Sequence, residues 1–195
     1  MKHPSNRELF AYWNERRGAS LAPARADIEP AAIRRVLGDT FVLELDLNLR
    51  CPFRIAGTRI CALFGRELKG ESFIGLWQQP GQTELRKLIA VVDEEKTGVI
   101  ASVTGATADD RLLPVNLEML VLPLAHSSRK EARVVGALAP LETPYWLGAK
   151  PTGPLTLGMF RHLGEAVETV KPPRFQAAAG RTRHGLTIYD GGRSD

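Results

Sequence analysis

The order of short apolar runs along this chain predicts an α+β fold, an antiparallel sheet with one face covered by helices. Three observations carry it. Two strand-like runs precede a group of short helical turns, a longer amphipathic helix follows, and three more strand-like runs close the pattern. At 195 residues, with 44% hydrophobic and 25% charged content, the chain is long enough for one domain with a real core plus appendages and too short for two ordinary ones. The reading divides it into an N-terminal helical extension over 1–39, a core over 40–143, and a Pro/Gly-rich basic tail over 144–195 that is partly ordered.

Each element has its own signal. Ser5-Asn6-Arg7-Glu8 fits a capping box, and Leu9, Phe10, Tyr12 and Trp13 then place apolar groups on neighbouring turns of a helix from about Asn6 to Arg17, ended by Gly18. Asp27 and Pro30 announce a second short helix through Ile33 and Leu37, closed by Gly38. From Thr40 the period becomes that of a strand, Phe41 to Asp46, with Phe53 to Ala56 as its hairpin partner. Ile60 to Phe64 is an apolar helical turn stopped by Gly65; a charged turn stopped by Gly70 follows, and both glycines are expected at positive φ. Ser72 to Trp77 is a short connector. Gln82 to Lys96 is the longer helix, with Leu85, Leu88, Ile89 and Val92 on one stripe, and Gly98 is expected to stop it. The runs 99–107, 112–124 and 132–141, separated by turn-rich segments, form an antiparallel meander. Beyond Thr143 prolines and glycines cluster; Leu155 to Val170 has room for a short helix against the core, and Leu186-Thr187-Ile188-Tyr189 for a strand-like docking segment.

Charge and cysteine content narrow the function classes. The net charge of +4 and pI near 9.3 come from scattered arginines and not from a basic block, so a solvated basic surface is favoured over a nucleic-acid partner. Salt-dependent nucleic-acid binding remains the weaker alternative. No apolar run approaches the roughly 18–20 residues that span a bilayer, and the first residues do not lead into a signal-peptide apolar region. A soluble, cytoplasmic protein is expected. Cys51 and Cys61 match no zinc spacing and read as reduced structural thiols. The chain has no Gly-x-Ser-x-Gly elbow, Walker loop, His-Glu-x-x-His or Gly-x-Gly-x-x-Gly, which leaves an enzyme little support.

Arg54-Ile55-Ala56-Gly57-Thr58 with Leu63-Phe64-Gly65-Arg66-Glu67-Leu68-Lys69-Gly70 resembles the PAS domain family, and in particular the small stand-alone PAS proteins of bacteria. The similarity extends to Phe10-Ala11-Tyr12-Trp13, to Phe73-Ile74-Gly75-Leu76-Trp77, and to Glu118 followed by Leu122-Pro123-Leu124, covering most of residues 6–143. The resemblance implies a PAS-like five-stranded antiparallel sheet with helices on one face, a cavity between the two layers, and a role in signal transduction through ligand occupancy or partner docking. Haem-binding PAS domains usually take an axial His from the long helix, but 82–96 has none; His3, His126, His162 and His184 sit in arms or turns. Blue-light PAS domains use Asn-Cys-Arg-Phe, whereas Cys61 lies in Arg59-Ile60-Cys61-Ala62 and reads as a buried small hydrophobe. Neither haem nor a photoactive flavin is expected, and the cofactor is unknown.

The candidate lining of such a cavity is Arg54, Arg59, Cys61, Phe64, Trp77, Leu117, Glu118, Met119 and Leu120. Alternation sets Val115, Leu117, Met119 and Val121 on one face of their strand and Asn116, Glu118, Leu120 and Leu122 on the other; which face points inward stays open. An inward Glu118 needs a partner, Arg54 or Arg59, because a lone buried charge is costly; the alternatives are a fixed salt bridge or a water-facing carboxylate. Trp77 either lids the pocket or is ordinary core. No kinase, cyclase or DNA-binding domain follows the core, so output is expected through a signalling partner or a homodimer. Leu9, Tyr12 and Trp13 form the expected dimer or partner surface, unless that stripe folds back on its own core. The leading expectation is a non-enzymatic sensor or adaptor for an unknown small molecule, a protein partner, or both; the alternative is a ligand-free interaction module with a packed core.

Overall fold

A computed structural model describes residues 1–46, 48, 50–109, 113–128, 132–163, 181–183 and 186–188. It divides into two compact units, Met1–Leu163 and Gly164–Asp195. The first holds helices α1 (Pro4–Arg17), α2 (Thr58–Phe64) and α3 (Gln79–Glu95) with strands β1 (Thr40–Glu44), β2 (Phe53–Ala56), β3 (Gly98–Ala106), β4 (Pro114–Pro123), β5 (Arg133–Pro140) and β6 (Thr156–Leu163). The strands form one antiparallel sheet in the order β2-β1-β5-β4-β3-β6. In the second unit, β7 (Arg181–Arg183) pairs antiparallel with β8 (Leu186–Ile188). The expected strand near the end is thus present as β8, while Tyr189 and His184 lie outside the described residues.

The sheet has six strands where five were expected. The added one is β6, which replaces the short helix read over Leu155 to Val170; positions 164–170 of that span are not among the described residues. The edge of β3 explains the strand. Pairing with it from Gly98↔Leu163 to Thr104↔Thr156 satisfies backbone groups that an isolated helix of this length could not repay by packing.

Both faces of the sheet are covered. Phe41, Leu43, Val99, Ala101, Val103, Val115, Leu117, Met119 and Val121 face α2 and α3 in one buried cluster. Val42, Ile100, Leu120, Leu122, Val135 and Ala137 face Leu9, Tyr12 and Trp13 of α1 and the segment through Ile28, Ile33 and Val36 in a second. The helices of the core do lie on one face, as expected, and α1 packs on the other.

The termini of α1 and α3 differ from expectation. His3, not Ser5, caps α1: its Nδ1 accepts from the Ser5 amide at 3.2 Å, which frees the Ser5 hydroxyl to donate to Asp39 at 2.5 Å. The helix expected through Ile33 and Leu37 is a series of tight turns between 3-10 segments at Arg25–Asp27 and Leu37–Asp39. Pro30 supplies no N–H, and the Asp27 carboxylate bonds the Ala24 amide at 2.9 Å, closing the first segment on itself. Lys96, not Gly98, ends α3: it sits left-handed at φ 53°, with its ammonium 2.7 Å from Asp93. Gly98 opens β3 instead, where a Cβ would meet Leu122 Cδ2 at 2.7 Å.

Gly65 and Gly70 adopt the expected positive φ, 63° and 82°. Gly65 ends α2 with its own amide bonded to Ala62 O and the Arg66 amide to Cys61 O, the double closure of a left-handed cap. Gly70 sends its amide to Phe53 O and so fixes the turn to β2. Since a Cβ at either site meets nothing closer than Pro151 Cβ at 3.4 Å, conformation and not space is the constraint. Gly65→Val and Gly70→Val should each lower stability by about 1–2 kcal/mol or more in urea denaturation. Unchanged midpoints in both would contradict the left-handed assignments.

Candidate functional site

The layer between sheet and helices is built around four rings. Phe41 from β1, Phe53 from β2, Phe73 after the charged turn and Trp77 before α3 stack edge-on or tilted, with centroids 5.2 Å apart for Phe41–Phe73, 5.5 Å for Phe53–Phe73 and 5.7 Å for Phe73–Trp77. Leu117 and Met119 project into it from β4, Ile60, Leu63 and Phe64 from α2, and Leu85 and Ile89 from α3. None of these is more than 5% exposed. Trp146, in the Pro/Gly-rich segment after β5, adds a further ring to the same cluster. The sequence reading left Phe41, Phe53, Phe73 and Trp146 out of the lining; a tryptophan among turn residues was the signal for the last.

Of the nine candidate lining residues, Phe64, Trp77, Leu117 and Met119 meet in this layer. Leu120 and Glu118 do not, because the odd-numbered residues of β4 face inward and the even-numbered ones face α1. Arg54 and Arg59 do not reach Glu118 either. Arg54 lies on the short edge strand β2 and pairs with Glu44, while Arg59 makes a two-pronged bond to Asp39 at 2.6 and 2.7 Å. Cys61 is half-buried beside Glu67, its Sγ 3.6 Å from the carboxylate, and burial pushes its thiol up. Cys51 is the deeply buried thiol, pushed up to about 12 by desolvation and then by Asp46. Both are poor nucleophiles at neutral pH.

The expected partner surface on α1 is interior. Leu9 is 0%, Trp13 4% and Tyr12 9% exposed, so the stripe folds back on its own sheet. The Trp13 indole N–H donates to Pro123 O at 2.8 Å, and the Tyr12 hydroxyl accepts from the Glu29 amide at 2.8 Å.

Glu118 secures the start of that helix. Its carboxylate accepts from the Lys2 amide at 2.7 Å, the His3 amide at 2.8 Å and Asn6 Nδ2 at 3.0 Å. Burial pushes the carboxyl up, but the His3, Asn6 and Lys2 donors outweigh it and hold it below the usual range. A carboxylate at a helix N-terminus also meets the positive end of the dipole. With a depressed folded pKa, this stabilisation is complete above the unfolded glutamate value of about 4.3 and is lost as pH falls through the folded pKa. Glu118→Gln should cost about 1.5–3 kcal/mol at neutral pH and flatten the acid limb of a stability–pH profile. A variant profile parallel to that of the parent would refute the clamp.

A second acid pair lies at the end of α3. Asp93 Oδ1 receives Lys96 Nζ at 2.7 Å and His126 Nε2 at 3.0 Å, and despite burial these partners hold its carboxyl below its ordinary value. Among the described residues no group of three or more His, Cys, Asp or Glu side chains gathers as a metal site, and no helix is long and apolar enough to cross a membrane.

The antiparallel sheet, with α2 and α3 on its inner face and a ring-filled layer between, is a PAS-like α+β fold. The family model for the PAS domain matches residues 1–139, and the chain belongs to that family. The match takes in α1 and ends at β5, leaving the Trp146 segment and β6 beyond it. Among curated proteins none matches the chain.

Proposed function

We propose that this chain is a PAS adaptor that works by docking a protein partner, with its inner layer filled by its own side chains and no catalysis of its own. The observation that carries the reading is the Phe41, Phe53, Phe73 and Trp77 stack, closed over by Leu117 and Met119, at the place where a ligand would otherwise sit. PAS domains are generally sensory or interaction modules, which supports the non-enzymatic part. The absence of histidine from α3 and the position of Cys61 beside Glu67 support a reading without haem or photoactive flavin. A cytoplasmic location fits the same role.

One observation favours a second reading, small-molecule sensing. The Trp77 indole N–H is buried without a hydrogen-bond partner, an arrangement that costs about 1–3 kcal/mol and that a ligand carrying an acceptor would relieve. Native mass spectrometry of freshly purified protein separates the two. The adaptor reading expects the mass of the chain or its assemblies alone across varied growth conditions. A stoichiometric small molecule, retained less well by Trp77→Phe, overturns it in favour of sensing.

A further inference from the structure

Strand β6 ends the sheet, bonded to β3 on one side and to no strand on the other among the described residues. It lies beyond the segment that matches the PAS family. Leu157 and Leu163 are partly buried against the two clusters, but Met159 is 88% and Phe160 39% exposed. The strand contains no acid, and Arg161 has no acidic partner among the described residues. Register places Arg161 opposite Ile100, hence on the α1 face of the sheet. There Lys2, Ile100, Met159 and Arg161 border an open hollow of about 430 Å³. The acid that borders it, Glu118, is occupied by the amides of Lys2 and His3 and by Asn6.

We propose that β6 and this hollow dock an extended segment of a partner protein that carries an acidic and an apolar residue two positions apart, on one face of the strand. The outward N–H and C=O groups of an edge strand pair with any extended backbone. Met159 and Arg161 stand two positions apart and both border the hollow, so incoming residues two positions apart, which share a face, would set an apolar group into it against Met159 and a carboxylate on Arg161. Charge selects the occupant. A second copy of β6 would bring a second Arg161 to a rim that already holds Lys2, whereas an acidic strand neutralises both. The irregular register between Ala101 and Val103, where Ser102 Oγ donates to Met159 O at 3.1 Å, leaves Phe160 to Leu163 in regular pairing and able to template a neighbour.

The inference rests on the adaptor reading and names its surface. The test uses the full chain, labelled for NMR, and two synthetic octapeptides with threonine at every other position and, between the threonines, glutamate and valine in turn in one and lysine and valine in turn in the other. The glutamate peptide should shift the amides of 156–163 at low salt. Arg161→Glu should weaken it by on the order of tenfold and bind the lysine peptide in its place, a rescue that also shows the variant is folded. Equal binding of the two peptides, or no shift in 156–163 with either, overturns the proposal. So do shifts of these amides with protein concentration alone, which would make a second copy the occupant, and slow amide exchange across the strand in the free chain, which would mean the chain already covers its own edge. Failure of these tests in a protein that purifies without a small molecule removes the β6 assignment alone. A co-purifying small molecule removes the filled-core reading without moving β6.

Discussion

Replacing Tyr12 and Trp13 together by alanine should unfold the first unit, not detach an arm from it. Truncating a buried aromatic of this size costs about 3–5 kcal/mol, and a domain's whole stability is about 5–15 kcal/mol. The two residues are neighbours, so their costs will not simply add, but Tyr12 also holds the part-buried Glu29 amide, and truncating Trp13 strands the buried Pro123 carbonyl. Loss of the sheet signal in circular dichroism, with a collapsed or absent thermal transition, is the expected result. A folded double variant that differs from its parent only in sedimentation would return α1 to the role of an intermolecular surface.

Phe73→Ala should be the most damaging single truncation in the inner layer. Phe73 touches the rings of Phe41, Phe53 and Trp77 and is fully buried. Its removal should cost about 3–5 kcal/mol, part of it from the void left among rings that cannot all collapse inward. Phe73→Leu, which keeps most of the volume, should recover much of the loss. If Phe73→Ala were instead nearly neutral, the layer would be loosely packed, and an added benzene-sized solute should then restore nothing.

Much of this architecture is legible in the residues, and the places where it is not share a cause. Gly65 and Gly70 announce their backbone geometry because few other residues tolerate positive φ, and the stripe of α3 follows from spacing alone. The location of α1 does not, because its buried face mixes Leu9, Tyr12 and Trp13 with Ser5 and Asn6, whose value depends on acids far along the chain. A signal was nonetheless present in β4. Leu120 and Leu122 share a face with Glu118, and a strand apolar on both faces is covered on both. β6 offers little alternation to read, since only Leu157 and Leu163 near its ends are partly buried, and the open edge of β3 is what calls for it.

The clamp on α1 also fixes an order of events during synthesis. Lys2 waits for Glu118 across 116 positions, and β1, which can pair early with β2, waits for β5, where Thr40 meets Ala137, so the first helix cannot dock on its sheet until the ribosome has released nearly the whole family segment. Until then Leu9, Tyr12 and Trp13 are an exposed apolar stretch of the nascent chain, and the protein's yield in cells should depend more on chaperone capacity than its final stability would suggest.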